Sequence, residues 1–141
     1  MSEVTETAVT RARLLLAGHA DRLAVAAAIL IAVLSFLPQS AAAGIPVNDT
    51  LNHFAAYCAL SLLALVRRRT VGSAAAMFGI VIAFGGLIEV IQPYFGRAGE
   101  LSDFIANGVG AIAGGLLVMV ARRVRKPFKY ARSDQRIHRE T

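Results

Sequence analysis

The sequence predicts an all-α membrane protein: a bundle of four transmembrane helices, both termini on the cytoplasmic side, with a polar cluster at the external end. Three observations predict it. The first is apolarity. Of 141 residues, 56% are hydrophobic, and mean hydropathy is +0.58. That is too high for a water-soluble domain, and the length allows one domain at most. The second is segmentation. Four apolar stretches, at about 23–40, 50–66, 71–92 and 104–121, approach the roughly 17–25 residues that a helix needs to cross a bilayer. The third is where the charge lies. A net charge of +6 invites a nucleic-acid reading. The basic residues, however, sit beside the ends of the apolar stretches, where they set topology, so no nucleic-acid partner is expected. Arg11, Arg13 and Arg22 precede the first stretch, and Arg67, Arg68 and Arg69 separate the second from the third. Eight more follow the fourth, and Arg97 stands alone between the third and fourth. The positive-inside rule then places both termini in the cytoplasm.

Residues 1–20 read as a polar cytoplasmic segment with one apolar run, Leu14 to Leu16, suited to an interfacial helix. His19 reads as solvated. The first span has one polar side chain in its core, Ser35, which suits a lipid-facing support helix. A competing reading exists: arginines, an apolar run and then Ala41-Ala42-Ala43 also resemble a signal peptide with its cleavage site. Pro38, Gly44, Pro46 and Asn48 mark a first external loop. In the second span Asp49, Asn52, His53 and Tyr57 are spaced i, i+3, i+4 and i+8, so they share one helical face. Asp49 has a plain alternative as a helix cap. Tyr57 lies about two turns deep, where a buried hydroxyl wants a polar partner. The single cysteine, Cys58, excludes an intramolecular disulfide and reads as a small packing residue.

The third span carries Glu89. An unpaired carboxylate within a transmembrane segment costs about 2.5–3.5 kcal/mol on insertion scales, so Glu89 must be protonated, paired or functional. Gln92 follows at i+3, and Pro93 stops the helix. In the loop after it Arg97 breaks the charge pattern. It suits an ion pair with Glu89, Glu100 or Asp103, or a phosphate or carboxylate of a ligand. Ser102 and Asp103 stand where a helix cap belongs. Along the fourth span Asp103, Asn107, Gly110 and Gly114 fall at i, i+4, i+7 and i+11. Gly110 and Gly114 form the small-xxx-small pattern of close helix packing, which turns that face inward. Gly108 and Gly115 extend the run of small residues. Residues 122–141 read as a solvated basic tail near anionic headgroups, and His138 has no context.

On this topology Asp49, Asn52, His53, Glu89, Gln92, Arg97, Asp103 and Asn107 gather at one end of the bundle. Desolvated polar groups need one another. Carboxylates with one histidine and one arginine suit acid–base chemistry or the grip of an anionic headgroup. His53, Glu89 and Asp103 are the acid–base candidates, and Asp49, Tyr57, Gln92, Arg97 and Asn107 the substrate-binding candidates. No cofactor is expected. One histidine with dispersed carboxylates lacks the spacing of a zinc motif, so no metal is expected either.

The run D-x-x-x-H-F-x-x-Y from Asp49, L-I-E-x-x-Q around Glu89, G-R at Arg97 and L-x-D-x-x-x-N-x-x-G-x-x-x-G from Leu101 resembles the VanZ-like family of small bacterial membrane proteins. The resemblance covers about residues 49–115 and implies Asp49, His53, Tyr57, Glu89, Gln92, Arg97, Asp103, Asn107 and Gly110 as motif positions. Thr50 departs from it, since the family usually has a lysine there. The founding member is associated with resistance to teicoplanin, but relatives occur in many bacteria without that trait, so the resemblance names a scaffold rather than a reaction. Two functions are expected to compete: an envelope protein whose external polar pocket binds a lipid-linked or anionic substrate, and a structural or accessory subunit whose polar cluster locks the bundle. Proton-coupled transport ranks below both, because no polar track crosses the membrane.

Overall fold

The computed structural model describes residues 3–37 and 48–124, with side chains from residue 18 onward, and every regular element in that range is helical. Four long helices follow in order: α1 Glu3–Phe36, α2 Asp49–Leu65, α3 Val71–Ile91 and α4 Leu101–Val124. Three segments are long and apolar enough to cross a membrane: Gly18–Phe36, Val71–Phe95 and Leu101–Val124. The expected fourth span does not meet that measure. Helix α2 has 17 residues, about 25 Å at 1.5 Å per residue, and polar groups occupy its first turns. It is nonetheless the central helix, packed against α1, α3 and α4.

Local chemistry sets the helix boundaries. Asn48, not Asp49, caps α2, its side-chain oxygen accepting from the Leu51 N–H at 3.1 Å. Asp49 is left in the first turn, free to pair elsewhere. Thr70 caps α3 by accepting from the Ser73 N–H at 3.2 Å. At the far end of α3, Pro93 cannot continue the α ladder. The chain tightens into a 3-10 turn, Gln92–Phe95, closed by Gly96 at φ 73. That left-handed backbone favours glycine. The carbonyl of Glu100 then accepts the first bonds of α4, from Asp103 and Phe104, so neither Ser102 nor Asp103 is the cap.

The α2–α4 contact is the most extensive in the molecule. A Cβ on Gly110 would lie 2.2 Å from the Phe54 carbonyl oxygen, and one on Gly114 would lie 2.2 Å from that of Cys58. Only hydrogen fits between these backbones, as the small-residue pattern predicts. Gly108 does not share this role: nothing lies within 4 Å of a Cβ there. Tyr57, Leu60, Ala64, Val81 and Ala111 form the core. Ser61 within it donates to the Ala111 carbonyl at 2.8 Å.

Three boundaries differ from the sequence expectation. Helix α1 is continuous over 34 residues, with its apolar span beginning at Gly18, and it ends at Phe36 rather than near 40. Phe36 stacks on Phe95 at 4.8 Å, seating α1 on the 3-10 turn. Helix α4 runs to Val124 and includes Arg122 and Arg123, which sequence placed in the basic tail. The tail beyond 124, the first loop and the Ala41-Ala42-Ala43 signal-peptide reading lie outside the described residues.

Candidate functional site

The start of α2, the end of α3, the loop after it and the start of α4 meet at one end of the bundle. His53 is the hub. It is 7% exposed, held on the inner face of α2 one turn after Asp49. Its Nδ1 lies 3.0 Å from the Asn107 side-chain oxygen. The Asn107 amide nitrogen donates to Glu89 Oε1 at 3.1 Å. A carboxylate only accepts, so this bond fixes which way the amide points and leaves its oxygen toward His53. Nδ1 of His53 is thus directed at the Asn107 oxygen, and Nε2 is directed the other way. There it faces Asp103 Oδ2 at 3.7 Å, beyond hydrogen-bond range. Glu89 Oε1 is also 3.7 Å from Nδ1. One histidine thus sits between two carboxyls from two different helices, all three residues at least nine-tenths buried.

Asp103 is held from its other side. Thr50 Oγ1 donates to Asp103 Oδ1 at 3.0 Å, which leaves Oδ2 for His53. Sequence reasoning missed Thr50, which stood out only as a departure from a family pattern. The signal was there: a hydroxyl one residue after Asp49, on a helix packed against the one that carries Asp103. Arg97 pairs with Asp49, not with Glu89, Glu100 or Asp103. Its side chain is 13% exposed against 46% for that of Asp49, so the acid forms the rim. Glu100 lies outside the cluster and accepts from Ser102 Oγ at 3.1 Å.

Two residues expected in the cluster, Asn52 and Gln92, are elsewhere, and so is the binding candidate Tyr57. Asn52 is exposed; at i+3 from Asp49 it rotates past the contact with α4. Gln92 is 1% exposed but reaches toward the other side of α3, its amide nitrogen 3.5 Å from the Ser35 carbonyl of α1. Ser35 itself is buried, so the end of α1 is not simply a lipid-facing support. Tyr57 is fully buried one layer below the cluster, and its hydroxyl has no hydrogen-bond partner among the described residues. The missing Cβ of Gly85 makes room for its ring. Tyr57 is a core residue here rather than a group on the rim of the site.

Folding also removes the objection to a metal. Asp49, His53 and Asp103 each offer one ligand atom, and these atoms lie within 4.8 Å of one another. Fifty residues of sequence separate His53 from Asp103, but the α2–α4 contact does not.

No family model, no curated protein and no solved structure matches this chain.

Proposed function

We propose that this chain is a VanZ-like multi-pass protein of the bacterial cytoplasmic membrane, with both termini in the cytoplasm. Its polar end faces outward and binds the headgroup of a lipid-linked or otherwise anionic envelope substrate. The observation that supports this best is the grouping of His53, Glu89, Asp103 and Asn107, buried together where three helices end. Burying such groups is costly unless they are paired, and an apolar replacement of similar volume is often as stable or more so. Retaining a histidine between two carboxyls suits a group that holds and moves a proton for a bound substrate. The orientation rests on the basic residues at the opposite end and on Arg97 as the lone cation at this one. Tolerance of glycopeptides belongs to the same reading only through the resemblance.

A second reading, a lock on the bundle, is favoured by one observation: Arg97 is neutralised by Asp49, so the guanidinium is not free to take an anion. The two readings part experimentally. Thermal unfolding of the purified protein would be followed with polyprenyl phosphate, phosphatidylglycerol and a zwitterionic lipid. The substrate reading expects stabilisation by one anionic class, lost in His53→Gln while that variant keeps its basal Tm. A Tm unresponsive to every lipid, together with a His53→Gln protein that unfolds several degrees lower, would leave only the lock.

A further inference from the structure

We propose that His53, Asp103 and Asp49 form a binding site for one divalent transition-metal ion, of the zinc or manganese class. Three independent observations carry it. The first is the donor set: an imidazole nitrogen and two carboxylate oxygens, within 4.8 Å of one another, on two helices that the Gly110 and Gly114 contacts hold together. Around such an ion, ligand atoms about 2.1 Å from the metal stand about 3.0–3.4 Å apart. His53 Nε2 and Asp103 Oδ2, at 3.7 Å, need to close by a few tenths of an ångström. Asp49, on the rim, already has a carboxylate oxygen within 4.8 Å of both other ligand atoms.

The second is the orientation of the ring. With Nδ1 directed at the Asn107 side-chain oxygen, Nε2 is the nitrogen that faces the Asp103 carboxylate. His53 is 7% exposed, and its Nε2 stands 3.7 Å from Asp103 Oδ2, beyond hydrogen-bond range. A metal ion seated between Nε2 and Asp103 Oδ2 would bind both atoms. Metal-bound histidines characteristically donate their other N–H to an oriented acceptor. Here that acceptor is Asn107, itself oriented by Glu89.

The third is the fixing of Asp49: its Oδ2 is paired with Arg97. Arg97 then acts as a positioning residue, holding one oxygen of Asp49 and leaving the other for the metal. Three protein ligands leave coordination positions open, as in catalytic metal centres. They would take water or phosphate oxygens. This last step rests on the proposed function, and it supplies the positive charge that the Asp49-bound Arg97 does not.

The test uses the full chain in detergent, purified without a polyhistidine tag and treated with chelator. Zn2+ and Mn2+ are titrated by calorimetry, and the Mn2+ complex is examined by pulsed EPR for a directly bound 14N. The expectation is one ion per chain with an imidazole coupling. In His53→Gln the coupling is lost and affinity falls about 100-fold. A similar fall is expected in Asp103→Asn, whereas His19→Gln, at an exposed histidine, changes nothing. Removing an outer partner such as Asn107 lowers metal affinity by about 10–100-fold. If the folded wild-type protein binds neither ion below about 1 mM, or if both ligand variants bind as wild type does, the site is overturned. Polyprenyl phosphate is tested separately on chelated and metal-loaded protein. Stabilisation of both forms alike, with no ion bound, sinks the metal site and keeps the proposed function. An ion bound at His53 with no lipid response in either form does the reverse.

Discussion

At the scale of the residue, the two glycines of α4 decide whether the site exists at all. The Cβ of an alanine at Gly110 would meet the Phe54 carbonyl, a backbone atom that cannot swing aside. Helix α2 must then retreat, and His53 and Asp103 part with it. Gly110→Ala is therefore expected to destabilise the protein by about 1–3 kcal/mol, the usual cost of overpacking. Gly108→Ala, two residues away with open space at its Cβ, is expected to be neutral or to gain up to about 1 kcal/mol from helix propensity. Thermal unfolding of both variants in detergent checks the pair. Equal Tm values would remove the close α2–α4 approach from the account. Propensity alone predicts that both substitutions help, so the sign at Gly110 isolates the packing effect.

At the scale of the element, each end of α2 is secured by a side chain from α4. At the polar end Asp103 receives Thr50. At the other end Arg122 reaches the part-buried carbonyls at and just beyond the C-terminus of α2, donating to Leu65 at 2.8 Å and also to Arg68. A guanidinium there satisfies orphan acceptors and opposes the negative end of the helix dipole. Arg122 is thus a structural residue as well as a basic topology marker. Arg122→Ala is expected to cost about 1–2 kcal/mol, since charge-assisted bonds to partly buried carbonyls are lost. Arg123→Ala, at an exposed neighbour, is expected to cost little. Hydrogen exchange at the last turn of α2 checks this, with faster exchange in the first variant and not the second. Nearby, Asp21 of α1 pairs with Arg67 and with Arg68. These pairs are largely solvated and worth little by themselves, but they tie α1 to the same end.

At the scale of the whole molecule, α2 is the short helix enclosed by three longer ones. Its buried face carries His53, Tyr57 and Ser61, residues that a lipid-facing helix of 17 residues would not tolerate well. Neighbours supply the apolar surroundings that its own composition lacks. The three longer helices show large exposed apolar side chains, such as Ile29, Ile80 and Leu116, as a lipid-facing belt requires. With basic residues gathered at the end opposite the cluster, a C-terminal fluorescent-protein fusion is expected to be bright in cells and an alkaline phosphatase fusion inactive. The opposite pair of results would invert the topology and place the polar site in the cytoplasm.

The helices, their approximate limits and the end at which polar residues would gather were legible in the sequence. Hydrophobic segmentation and i, i+4 spacing are local properties, and the bilayer's thickness fixes their scale. The glycine contact was legible too, because only a small residue permits such an approach. Partnerships were not. Arg97 had three plausible acids nearby in sequence and took a fourth, Asp49. Gln92 turned toward α1, Asn52 toward solvent, and Thr50 took a place in the site. These outcomes depend on the rotation of each helix about its axis, and one residue changes that angle by about 100°. Spacing along a chain shows which side chains share a face. Only the packing of α4 against α2 decided which neighbour that face would meet, and so brought His53, Asp49 and Asp103 within reach of a single ion.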